Sequence, residues 1–307
     1  MTLKSLSNEY SNQLIDKWQY IDQMYEIHKI LFEYANFIID TNIEKIEISN
    51  GEVVMTFKDS LVKMVCAYGD KRIAPIDSLN FNNYELEELN LQLKLMKDVN
   101  NIIDIGGNYG WYAIHVAKKY PLKNIISFEP IPFTYQQLIK NIGINNVNNI
   151  KAFNFGFSEE MGDFDFFYDP ELTVNASMKN VSDKPSALKV VCHVSTLDIF
   201  DKDRPSLEIG FIKCDIEGAE LLAFKGAENV LKKSTPIVFT EILRKWTAKY
   251  NYHPNDLINF FKNLNYKCYV CKDCKLFPFE FVDDETIDTN YFFLHELNHK
   301  DLILKYS

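Results

Sequence analysis

Apolar positions between residues 10 and 40 recur in alternating steps of four and three: Leu14, Trp18, Ile21, Tyr25, His28, Phe32 and Ala35. That is the step of a coiled-coil seam, and it predicts one long helix. Such a stripe is buried either on the protein's own body or against a second copy of the chain. The body is the first expectation and a homodimer through this helix the second. His28 lies in the stripe and reads as a packed histidine.

The period then changes. IEKIEIS, Asn50-Gly51 and EVVMTF read as a hairpin with the Asn-Gly pair at its turn, and SLVKMVCAY offers a third strand. A helix is expected from about Asn83 (YELEELNLQLKLMK), acidic at its start and basic at its end, as the helix dipole favours. From Asn101 short apolar runs alternate with helical stretches: IIDIG, IISFE, IKAFNF, IGFIKCD and PIVFTEI. This alternation predicts an α/β fold with a doubly wound, mostly parallel sheet. It breaks at Phe157–Ser195, where FDFFYD and LKVVCHV read as strands of a β-rich insertion in place of a crossover helix.

The expected organisation is therefore an N-terminal helical segment (1–45), a small β-hairpin extension (46–82) and a main domain (83–307) with the insertion near 157–195. Of the 307 residues, 47% are hydrophobic and 25% charged, and the formal net charge is −10. That surface speaks against a nucleic-acid partner, which needs clustered Lys and Arg. No secretory signal or membrane-length apolar run is visible, and the six cysteines are scattered. A cytoplasmic location is expected.

The chemistry starts at NIIDIGGNYG, residues 101–110. A strand, a glycine-rich turn and a helix commonly cradle a nucleotide, but a dinucleotide turn reads G-x-G-x-x-G and faces a pyrophosphate. Here Asp104 stands at the mouth, spaced as Asp104-x-Gly106-x-x-x-Gly110, and would repel a pyrophosphate. The turn suits a ligand with positive charge. Glu129, an acid closing the second strand, is placed for ribose hydroxyls. S-adenosylmethionine carries both a ribose and a cationic end. Asp215 and Glu241 close the fourth and fifth strands, so four acids converge on one rim of the sheet.

DIGGNYG, SFEPIP, IKCDIEGAE and VFTEI, in that order and spacing, resemble the FkbM-type S-adenosylmethionine-dependent methyltransferases over roughly residues 84–295. Gly107 stands where that family usually has alanine. The resemblance implies a class I, Rossmann-like methyltransferase fold and O-methylation of sugars or other hydroxyl-bearing small molecules. It also implies that Asp104, Gly106, Asn108 and Gly110 shape the methionine-side pocket. Glu129 and Pro130 would serve the ribose, and Phe155 and Gly156 the adenine.

Methyl transfer to a hydroxyl needs alignment and a general base. Asp215, Glu217 and Glu241 are the candidates. Two other roles compete for them: capping of the helix that begins near Gly218, and a divalent metal, which is open but not favoured. Lys213 reads as a surface neighbour of Asp215. Cys268, Cys271 and Cys274 have a metal-like spacing but read as one hairpin. His115 reads as a core or rim histidine and His193 as a weak alternative base. A nucleotide-binding oxidoreductase or sugar-nucleotide enzyme, and an inactive methyltransferase-fold binding partner, are the other functional readings.

Overall fold

In the computed structural model, which describes residues 2–82 and 85–307, the N-terminal pattern gives three helices rather than one. These are α1 (Leu3–Ser11), α2 (Lys17–His28) and α3 (Ile30–Phe37). The break falls at residues 12–16, where Gln13 takes a positive φ and Asp16 caps α2 by accepting from Trp18 and Gln19 N–H. Leu14 therefore sits on a bend. The first expectation for the stripe fails as well: Trp18, Tyr25 and Phe32 are exposed to solvent and do not pack on the body.

A three-stranded antiparallel sheet follows, built of β1 (Ile43–Ser49), β2 (Glu52–Phe57) and β3 (Lys63–Cys66). Asn50 and Gly51 both have positive φ, as the hairpin turn demands. The apolar pattern did not announce α4 (Ala74–Phe81). Its Pro75 lies in the first turn, where a missing N–H costs nothing. The next helix, α5, runs Leu86–Leu95, so its expected start at Asn83 lies outside the described residues.

The main sheet has eight strands in the order β14-β13-β15-β12-β11-β4-β5-β6. Their ranges are β4 Asn101–Ile105, β5 Asn124–Phe128, β6 Ile150–Phe153, β11 Ile209–Cys214, β12 Ile237–Glu241, β13 Tyr266–Lys272, β14 Lys275–Phe279 and β15 Asn290–His295. From β6 through β12 all neighbours are parallel, and β15 enters antiparallel between β12 and β13. Alternate residues feed two cores. Ile102, Ile125, Phe211 and Phe239 face one, while Ile103, Ile126, Ile212 and Val238 face the other. Strands buried on both faces read as continuous apolar runs, which is why they were visible in the sequence.

The insertion is a four-stranded sheet of β7 (Gly156–Phe157), β8 (Gly162–Asp169), β9 (Leu172–Ser177) and β10 (Leu188–Ser195), ordered β7-β10-β8-β9. It does not fully replace the crossover helix, because α8 (Leu197–Lys202) still links it to β11. The two remaining helices that matter to the site are α6 (Trp111–Lys119) and α7 (Pro132–Ile144).

Candidate active site

Winding reverses between β4 and β11, and a ligand crevice is expected at such a switch point. A cavity of about 370 Å³ opens there, lined by Asp104, Glu129, Asp215, Glu217 and Glu241. The four strand-end acids do meet, joined by Glu217 and by Glu85 from before α5.

On the β4–β5 side the carboxylates are tied to the protein. Asp104 Oδ2 accepts from Ser127 Oγ at 2.6 Å. Glu129 accepts from Asn108 N–H through Oε2 at 3.0 Å and from Ile131 N–H through Oε1 at 2.9 Å. Burial pushes Glu129 up to about 7. Each of its oxygens still has a lone pair to offer a hydroxyl. Asp104 Oδ1 is buried with no hydrogen-bond partner. The glycines have distinct reasons. A Cβ on Gly106, at φ +78°, would lie 1.9 Å from the Asp215 carbonyl oxygen, so Gly106 lets β4 and β11 end close together. Gly110, at φ +92°, starts α6 with its space taken by Leu138 and Ile114. Gly106, Asn108, Pro130 and Gly156 line the cavity; Gly110 and Phe155 do not. Phe155 turns into an aromatic cluster with Phe128, Phe157 and Phe200, and Phe157 reaches the cavity instead.

On the β11–β12 side the carboxylates crowd one another. Oxygens of Asp215, Glu217 and Glu241 lie within 4.8 Å of each other. Glu217 Oε2 is buried without a hydrogen-bond partner, and its residue holds a positive φ of 58°. Burial, then the charge of Asp215, raises Glu217 and Glu241 well above the carboxylate range. Capping does not explain this cluster. Backbone N–H groups of Ile216 and Gly218 donate to Glu220, and neither Asp215 nor Glu217 caps the helix that starts at Glu220.

Lys213 stands between the two sides and corrects the surface reading. It is 4% exposed and donates to Gly106 O at 2.8 Å. Its Nζ lies 3.4 Å from Asp215 Oδ2 and 3.7 Å from Asp104 Oδ1. Burial opposes its charge, yet Asp215, Asp104 and Glu85 raise its pKa. A lysine inside the buried strand IGFIKC was itself the signal, since a buried lysine must be paired. Glu85 gave no signal, for it sits far from the acidic motifs in sequence. Tyr112 Oη donates to it at 2.8 Å, and burial, then Asp215, pushes it up to about 7.

The histidine readings separate. His115 is buried between Ser60 Oγ at 3.0 Å and Trp111 O at 2.7 Å, and burial pushes it down to about 4. His193 is exposed beside its cross-strand partner Asp163 and does not line the cavity, so it is no base. Cys268 and Cys271 belong to opposite faces of β13, one in each core, and make no metal cluster with Cys274 among the described residues.

A parallel sheet wound outward from β4 and β11, with β15 entering antiparallel beside β12 and these acids along its rim, defines the Rossmann-like class I methyltransferase fold. The family model described as "Methyltransferase FkbM domain" matches residues 104–268, just over half of the chain, and the chain belongs to that family. It is 27% identical over 145 residues to Methyltransferase 1 of Beauveria bassiana (42% of this chain, 58% of that protein). It is 26% identical over 158 residues to the hexuronic acid methyltransferase AglP of Haloferax volcanii (52% of this chain, 62% of that protein). The chain thus spans about three fifths of the length of these curated relatives. The solved FkbM methyltransferase of Methylobacillus flagellatus KT is 17% identical at a TM-score of 0.41, covering 63% of this chain and 43% of that one. No helix among the described residues is long and apolar enough to cross a membrane.

Proposed function

We propose that the chain transfers a methyl group from S-adenosyl-L-methionine to a hydroxyl of a sugar, a glycan precursor or a similar small molecule. The observation that carries this reading is the division of one cavity by Lys213 into a braced acidic side and a crowded acidic side. The residues fit the cofactor. Asp104 Oδ1 would face its cationic end, Glu129 its ribose, and Gly106 and Asn108 would line its path. When bound, the sulfonium supplies a methyl group activated for in-line displacement.

The chain's own residues align and deprotonate the acceptor. Asp215, ion-paired with Lys213, takes the proton of the acceptor hydroxyl. Burial and the charge of Asp215 favour the protonated forms of Glu217 and Glu241, which would donate to neighbouring acceptor oxygens. So many carboxyl groups disfavour an anionic acceptor, which supports a neutral hydroxyl. The name of the Haloferax relative supports sugars as a class, although the hexuronic acid it names is anionic and this cavity favours a neutral sugar over it.

A divalent cation on Asp215, Glu217 and Glu241 is the second reading, since an all-oxygen set suits Mg²⁺ or Ca²⁺. Lys213 already places a positive charge 3.4 Å from Asp215 and competes with it. Calorimetry with S-adenosylmethionine, S-adenosylhomocysteine and NAD⁺ tests the main reading: the first two bind and NAD⁺ does not. Binding of NAD⁺ alone would restore the oxidoreductase reading. Loss of methyl transfer in chelator and recovery with Mg²⁺ would establish the cation.

A further inference from the structure

The first three helices form an arm that the rest of the chain leaves uncovered. Residues 2–37 supply no member of the three apolar clusters that hold the body together. Within the arm α1 packs on α2, with Tyr10 and Tyr20 stacked at 4.6 Å, and α2 runs into α3. Lys29, between them, keeps helical angles (φ −59°, ψ −24°). The two helices therefore make one rod, about 30 Å long at 1.5 Å per residue.

Most helical stability in proteins comes from packing an apolar face, and the apolar face of this rod has no partner within the chain. Trp18 is 72% and Phe32 65% exposed, and Ile21, Tyr25, Leu31 and Phe37 are exposed with them. At about 150–250 Å² per aromatic side chain, these six leave roughly 600 Å² of apolar surface uncovered, against about 800 Å² per partner in a standard interface. Leu31 and Phe37 lie off the seam, so α3 (ILFEYANF) is apolar around most of its surface, and such a helix belongs in a bundle.

We propose that α2 and α3 pair with the same two helices of a second copy of this chain. The four-and-three spacing gives each rod the knobs a partner rod of the same sequence accepts, and one two-fold axis covers both stripes. Residues 2–37 hold three lysines against five acids, so the arm lacks the basic face that draws a helix to an anionic bilayer. Each copy carries a net charge of −10, so added salt tightens the pair.

Sedimentation and light scattering of the whole chain, from low to high micromolar, test this. The expected result is twice the chain mass, with tighter association at higher salt. Trp18→Asp with Phe32→Asp is expected to run at the single-chain mass while S-adenosylhomocysteine affinity holds, because neither residue touches the core or cavity. Phe32→Ser alone, a milder change, is expected to weaken association about tenfold or more, a loss of about 1.4 kcal/mol. A wild type that stays single throughout overturns the proposal, and so does a pair that both variants leave intact. Flotation of a single-chain wild type with phosphatidylcholine–phosphatidylserine vesicles, lost in the double variant, would give the arm to a membrane instead.

Discussion

The two sides of the cavity use the same residue type in opposite ways. Asp104 and Glu129 are held by Ser127 and by backbone N–H groups, so their positions are fixed before any ligand arrives. Asp215, Glu217 and Glu241 have almost no protein donors and are crowded within 4.8 Å. The first arrangement preorganises binding. The second keeps protons on some acids and leaves oxygens free to face an incoming group, at a cost in stability. Lys213 holds the two apart, and substitutions on either side should therefore have separable consequences.

Lys213→Met should have the largest effect, because it removes from both sides at once the buried cation that stands between them. Breaking a buried pair by deleting one partner costs about 3–5 kcal/mol, a large share of a domain's total stability. Denaturant unfolding measures it. A loss below about 1 kcal/mol would mean that the surrounding acids simply take up protons.

Asp215→Asn keeps the size and removes the charge. Methyl transfer should fall by about 10²–10⁴, the usual worth of general acid–base help. Cofactor affinity should hold within about 1 kcal/mol, because the braced side is untouched. Turnover near wild type per folded molecule removes Asp215 from the mechanism and equates the two sides.

The third effect is on stability against pH. Burial lifts Glu220 from its ordinary 4.5 to about 7, although Ile216 and Gly218 donate to it. A pKa raised in the folded state means stability is whole below about pH 4.5 and falls as pH rises toward 7. The slope from one such group is at most about 1.4 kcal/mol per pH unit. Glu220→Gln keeps an oxygen for the two N–H groups and cannot ionise, so unfolding free energies taken between pH 4.5 and 7 should lose part of that slope. An unchanged slope assigns it to the other buried carboxyl groups of the cavity, Glu85, Glu129, Glu217 and Glu241.

The sheet and its acidic rim were legible because parallel strands are continuous apolar runs whose polar ends fall at the ligand edge. Period and motif could not show which carboxylates have donors. That depends on Ser127 and Ile131 on one side and on the partnerless Glu217 oxygen on the other. Lys213 looked peripheral because alternation along a strand implies a solvent face only when the sheet has one. Phe155 was misplaced by two residues: the chain turns between β6 and β7, and Phe157 takes the cavity wall. The arm failed differently. Its stripe was read correctly as apolar, but nothing in one chain says whether the surface that covers it belongs to that chain.

The smallest effect is the most pointed test of the braced side. Glu129→Ala should weaken S-adenosylhomocysteine by about 1–3 kcal/mol through lost charge-assisted bonds to the ribose. The same change releases Asn108 and Ile131 N–H, so a looser turn could mimic that loss. Glu129→Gln separates the two causes. It keeps one acceptor oxygen for the turn and replaces the other with a donor. If the carboxylate serves the ribose, glutamine should bind nearly as weakly as alanine while its melting temperature recovers part of the alanine loss, because one of the two N–H groups regains an acceptor. If the carboxylate only braces the turn, affinity and melting temperature should recover in step. Titration calorimetry beside a melting curve on the two variants reads the difference, and unchanged affinity in both would end the ribose assignment.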